Sequence, residues 1–246
     1  ASCLVGSEMC IRDRIQTIFS PLISSLLFLL VLSLAIGNER GEVLGVPFII
    51  FLAPGLIAMQ VIQQSFSHSS SSFMIGKIQG NIVDLLYAPL SAAEITFSVS
   101  LAAVTRSFMI AFISVLVFHL IIDIQIKHPF ILILFTFFSS FILGNIGIIV
   151  GLWAEKFDHM ASATNFVIIP LSFLSGTFYT TDKLPGFLQA ISNANPFFYM
   201  IDGFRYSFIG NADGSIKIGI IYLIILSFLS WLASYILFRK GYKIKS

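Results

Sequence analysis

Apolar residues fall into six blocks along the chain, separated by shorter polar stretches. The first, Phe19 to Ile36, makes a helix of about 27 Å, just enough to cross a hydrocarbon layer of about 30 Å. Pro21 lies in its opening turn, where a missing N–H is harmless. A short polar turn carrying Glu39, Arg40 and Glu42 leads to the second block, Val46 to Ile62, with Pro47 at its start and Pro54 inside. Ala92 to Ile122 reads as one helix of about 46 Å, longer than the membrane core, so one end protrudes. Phe130 to Leu152 is the fourth block, Ala163 to Tyr179 the fifth, interrupted by Pro170, and Ile218 to Phe238 the sixth. The pattern predicts an all-α integral membrane fold of six transmembrane helices.

Two stretches fit neither a span nor a plain loop. Between the second and third spans, Ile78, Ile82, Leu85 and Leu86 lie on one face, with Asp84 among them and Pro89 closing the segment. Periodicity alone leaves this helix as either a docking element or a connector resting on headgroups. Between the fifth and sixth spans, Leu184, Phe187, Leu188 and Ile191 form one apolar stripe, and Phe197, Ile201, Phe204 and Phe208 form another. Asn195 and Pro196 separate the two, and a proline biases the residue before it away from helix. Two short amphipathic helices hinged there would dip into the membrane surface without crossing it.

Composition agrees with the pattern: the 246 residues are 57% hydrophobic and 11% charged, with 26 Phe and a mean hydropathy of +0.95. A net charge of +2 offers no case for nucleic acid. Arg239, Lys240, Lys243 and Lys245 cluster after the sixth span, and six spans place both termini on one side, so the positive-inside rule puts the termini in the cytoplasm. The 78–86 helix then lies on the cytoplasmic side and the hinged pair outside. Residues 1–14, ASCLVGSEMCIRDR, lack a helical stripe and resemble translated adapter DNA, so they are read as a non-native leader before a domain spanning 15–246.

Candidate chemistry is sparse. No phosphate-binding G-x-x-x-x-G-K-[ST] occurs, so any nucleotide must be bound by a partner. His68, His119, His128 and His159 lie in four segments without ligand spacing and read as isolated; Cys3 and Cys10 offer no metal or disulfide framework. The reading is of a chain with no catalytic residue, no bound cofactor and no metal. Arg106 is within snorkelling reach of an interface and reads as an anchor. Asp202 and Arg205, three apart, would pair across one helical turn. Ser140, Gly144, Gly147 and Gly151 form a continuous small-residue face that lets a neighbouring helix approach closely.

The blocks QTIFSPLISSLLFLLVLSLAIG, APGLIAMQVIQQSF, GKIQGNIVDLLYAPLSAAEI and FLSGTFYTTDKLPGFLQAISNANPFFYMIDGFRYSFIG resemble, in that order, recurrent blocks of ABC-2 type transporter permeases. The resemblance runs from Gln16 to about Lys240 and is nearest to small bacterial inner-membrane permeases whose ATPase is a separate chain. It implies a cytoplasmic coupling helix (Ile78, Ile82, Asp84, Leu85, Leu86) against that ATPase and a homodimer forming the path. It also implies an outer re-entrant pair acting as a gate through Pro185, Phe187, Asn195, Pro196, Phe197, Phe204 and Arg205. Export of a lipid, glycan or drug-like substrate follows from the family alone, with ATP on the partner subunit and lipid around the chain. The family's usual basic N-terminal helix would stand where residues 1–14 are. A non-transporting membrane scaffold is the alternative from another class, and an intramembrane enzyme is disfavoured by the scattered histidines.

Overall fold

In the computed structural model, residues 19–35, 42–80, 90–122, 124–181 and 185–241 are described. The leader at 1–14, most of the 78–86 helix (Ile82, Asp84, Leu85 and Leu86 included) and the terminal lysines Lys243 and Lys245 lie outside them. Helix α1 spans Phe19–Ala35. A two-residue hairpin, β1 (Glu42–Val43) and β2 (Val46–Pro47), turns through Leu44 and Gly45, both at positive φ, and is a small β element in an otherwise helical chain. The remaining helices are α2 (Phe48–Ile78), α3 (Ala92–Ile122), α4 (Pro129–Trp153), α5 (Phe157–Ala163), a π turn (Thr164–Ile168) continuing into α6 (Ile169–Phe173), α7 (Gly186–Ala194), α8 (Pro196–Ile209) and α9 (Ile216–Arg239).

Among the described residues four helices, α2, α3, α4 and α9, are long and apolar enough to cross a membrane, and α1 is a shorter apolar helix. The fifth block is helical from Phe157 to Phe173, but a π turn interrupts it before Pro170. The helices alternate in direction, so one end of the bundle carries the β hairpin and the α7–α8 pair, and the other carries Lys77, Lys156 and Arg239.

Helix α2 differs most from the sequence reading. It does not stop at Ile62 but runs to Ile78, which therefore closes a long helix rather than opening a short one. Gly80, at φ +75, turns the chain just beyond it. The serine-rich stretch is tolerated because Ser70, Ser71 and Ser72 return their hydroxyls to the carbonyls of Phe66, Ser67 and His68. Small residues are also required there. A Cβ on Gly147 of α4 would stand 2.6 Å from the Phe66 carbonyl oxygen and 2.9 Å from Ser69 Cβ; one on Gly151 would stand 2.8 Å from the Ser70 carbonyl oxygen. Gly144 faces Ala103 and Ser69, and Ser140 is fully buried. The small-residue face of α4 thus lies against α2 and α3 of the same chain.

Polar side chains tie the helices internally. Asn145 Oδ1 accepts from Ser100 of α3 at 3.0 Å and Ser234 of α9 at 2.8 Å, while its amide donates to Phe141 O. Ser65 and Ser107 meet at 2.6 Å between α2 and α3. Arg106 Nη1 lies 3.0 Å from His68 Nδ1 across the α2–α3 contact. Ser91 and Glu94 form a reciprocal capping box at the start of α3. Lys77 donates to the carbonyls of Leu152 and Ala154, closing the end of α4 that faces away from the α7–α8 pair.

Candidate functional site

The α7–α8 pair is asymmetric. In α8 nearly every residue is buried, Phe197, Ile201, Phe204 and Phe208 together with Asp202, Gly203 and Arg205, so it sits as a plug among α2, α4 and α9 rather than resting one stripe on a surface. Gly203 makes this possible, because a Cβ there would stand 2.0 Å from the Phe135 ring. In α7 only Ser192 is buried; Phe187 is 76% exposed, and Pro185 is exposed before it. Leu184 lies outside the described residues.

Asn195 and Pro196 build the joint between the two helices. The Asn195 side-chain oxygen accepts from Phe197 N at 3.0 Å and so caps α8, while Pro196 takes the first helical position. The other face of the same amide donates to Leu171 O at 2.8 Å, fixing the joint to the end of the fifth block.

Asp202 and Arg205 do not spend their hydrogen bonds on each other. Arg205 Nη2 donates to the carbonyls of Gly176 and Thr177 at 2.8 and 3.2 Å, and the guanidinium lies 3.9 Å over the Phe51 ring of α2. Gly55 leaves room for this, since a Cβ there would meet Thr177 O and Arg205 Nη2 at 3.0 and 3.1 Å. Asp202 instead accepts from the backbone N–H groups of Asp213 and Gly214, both at 2.9 Å. Burial pushes its carboxyl above the usual range, while those donors and the nearby Arg205 pull it down. Asp213 in turn accepts from Thr181 N and Oγ1.

These bonds converge on residues 171–181. Ser192 adds a hydroxyl to Leu174 O. That segment carries Phe173 and Phe178, whose rings lie 5.4 Å apart, and Phe178 lies 5.3 Å from Phe28 of α1. The three rings form the roof of a cavity of about 640 Å³ between α1, α2 and the end of the fifth block. Below the roof, Ser20, Ser24 and Ser25 of α1 face Gln60, Gln63 and Gln64 of α2. The glutamines sit at i, i+3 and i+4, one face of a helix. Gln60 is committed: it donates to Pro21 O and accepts from Ser114 at 3.2 Å. Among the described residues the Gln63 and Gln64 amides meet no hydrogen-bond partner.

Of the residues singled out by sequence reasoning, Asn195 and Arg205 bond to the 171–177 segment, Phe197 and Phe204 are buried in α8 behind Pro196, and Pro185 and Phe187 are exposed. That reasoning missed Gln60, Gln63, Gln64, Phe28, Phe173 and Phe178 as one group. The available signal was three glutamines within five residues of an apolar block.

Comparison with known proteins places these features in context. The model of the ABC-2 type transporter family matches residues 8–209. The chain is 31% identical over 238 residues to the inner membrane transport permease YadH of Escherichia coli, covering 96% of this chain and 92% of that protein. It is 26% identical over 237 residues to nodulation protein J of Rhizobium leguminosarum bv. viciae, covering 93% and 89%. Nodulation protein J of Rhizobium meliloti is 24% identical over 206 residues, covering 81% and 77%.

Proposed function

The chain belongs to the ABC-2 type transporter family, and on that premise we propose that it is the permease subunit of an ATP-driven exporter in the bacterial inner membrane. Membership makes it a membrane transporter subunit; the direction of transport, the separate ATPase and the assembly are our reading. Two copies would form the path, with lipid against the exposed apolar faces of α1, α3 and α9. Both termini would lie in the cytoplasm, so the α7–α8 pair would face outward as a re-entrant gate.

The observation that carries this reading is the roofed cavity. A space lined by polar groups of α1 and α2 and by three aromatic rings, two of them on the segment that the α7–α8 pair holds, is an arrangement that can hold a molecule and release it when that segment shifts. Helix α2 connects the two ends of the machine. Phe51 and Gly55 lie under Arg205, Gln60 to Gln64 line the cavity, and Ile78 leads into the 81–89 segment that would meet the ATPase. We assign the transmission to α2 as a rigid lever, with the residues Ile82, Asp84, Leu85 and Leu86 as the docking face and ATP held by the partner alone.

Affinity isolation of the full chain from its native membrane tests this. An ABC ATPase should co-purify and hydrolyse ATP in the isolated complex. The pair Asp84→Lys and Leu85→Trp should cut permease-dependent stimulation at least ten-fold while the chain remains folded. Isolation without any ATPase would leave the scaffold reading in its place, and full stimulation in the variants would remove the docking assignment.

A further inference from the structure

The cavity lining carries information about what it holds, and this inference rests on the transport reading above. The described side chains that line it are hydroxyls, amides, a thioether, aliphatic groups and aromatic rings; no Lys, Arg, His, Asp or Glu is among them. Polar groups gather at one end, Ser20, Ser24, Gln63 and Gln64, and rings at the other, Phe28, Phe173 and Phe178. Ser24 returns its own proton to Ser20 O, which leaves its lone pairs available as acceptors. The Gln63 and Gln64 amides, half-buried and with no partner among the described residues, offer donors and acceptors together. Half-exposed and uncommitted within the protein, these amides can turn to a bound head group.

We propose that the cavity selects an uncharged amphiphile, its hydroxyl- or amide-bearing head against Gln63, Gln64 and Ser24 and its apolar part against Phe28, Phe173 and Phe178. Among the described lining residues a phosphate or carboxylate head would find no cation to meet it, and an ammonium head no carboxylate. The basic pair nearest along α2, Arg106 against His68, lies one turn past Gln64 and is outside the lining. Gln63 and Gln64 are therefore the residues that set head-group preference, while Gln60, tied to Pro21 and Ser114, holds α1 and α3 to α2.

The test uses the full chain in lipid nanodiscs with Cys3 and Cys10 replaced by Ser and with Met59→Cys, a lining position outside the head and tail contacts, as a reporter of occupancy read by its rate of maleimide labelling. Octyl glucoside, octyl phosphate and octyltrimethylammonium share one tail and differ in head charge; methyl glucoside supplies the head without the tail. Octyl glucoside is expected to slow labelling at least ten-fold, and the other three less than two-fold at equal concentration. Gln63→Leu with Gln64→Leu should abolish the protection while leaving the melting temperature within a few degrees. Gln63→Asn with Gln64→Asn, which keeps the amides, should retain most of it and guards against a misfolded double variant. Equal protection by octyl phosphate, or its loss in Arg106→Gln, would overturn the selection for uncharged heads. Protection by methyl glucoside equal to that by octyl glucoside would overturn the amphiphile. Failure of an ATPase to co-purify would strike the transport reading while leaving these binding results standing.

Discussion

Removing the Arg205 guanidinium should loosen the cavity roof without dismantling the bundle. Arg205→Met keeps most of the apolar volume but deletes the donor to the Gly176 and Thr177 carbonyls and the cation over Phe51. A hydrogen bond from a charged donor contributes roughly 1.5–3 kcal/mol, and a desolvated cation–π contact about 2 kcal/mol. Both bonds share one nitrogen, and burial of the charge itself is unfavourable, so the net loss is about 3 kcal/mol. At about 1.4 kcal/mol per decade, the open form of the 174–178 segment should rise roughly one hundred-fold. Ser175, 1% exposed within that segment, reports on it. In a chain with Cys3 and Cys10 replaced by Ser, Ser175→Cys should label roughly one hundred times faster with a water-soluble maleimide when Arg205 is Met. Arg205→Lys, which keeps the charge but loses the planar fork, should give an intermediate rise. Labelling in Arg205→Met within about three-fold of the parent would show that the guanidinium does not hold the roof.

Two other substitutions probe the bundle beneath it. Gly147→Ala should lower stability by about 1–3 kcal/mol, measured by steric trapping in bicelles, because the new methyl meets backbone that cannot yield, whereas Gly76→Ala, with open space around it, should be neutral or slightly stabilising. Asn145→Leu should cost only about 1 kcal/mol by the same measurement, since Ser100 and Ser234 each keep a second bond to a carbonyl of their own helix.

Most helices were legible because membrane burial leaves one strong signal, a long apolar run. The third block coincides with α3, and α4 and α9 match within two residues at each end. The second failed at its end for a physical reason. Ser69 to Ser72 read as a helix tail or loop, yet Ser70, Ser71 and Ser72 satisfy their hydroxyls on the preceding turn, and Ser69 and Ser70 are small enough to face Gly147 and Gly151. The cue was present on the partner helix, in the very small-residue face that was read from the sequence. Hydrophobic period also misjudged α8, where a stripe was expected and burial is nearly complete. Gly203 in mid-helix and two charges among phenylalanines were the signs of a helix enclosed by others. The cavity itself was beyond reach of local pattern, because its walls come from three parts of the chain separated by long intervals.

The pairing of α7 with α8 decides which half of the outer segment is free to move. Helix α8 is locked by the Phe135 ring against Gly203, by Arg205 on Gly176 and Thr177, and by Asp202 on the loop that follows it. Among the described residues helix α7 is held by far less: Ser192 to Leu174 O, and Tyr222 to Ala194 O at 3.2 Å. Local opening starts where few buried contacts and few bonds resist it. The joint at Asn195 therefore separates a fixed element from a lightly tethered one. Asn195 holds both by the same amide, capping α8 through its oxygen and gripping Leu171 through its nitrogen. A swing of α7 that pulled on this residue would act at once on the segment carrying Phe173 and Phe178. The proline fixes the angle between the helices, but the asparagine beside it connects the hinge to the roof.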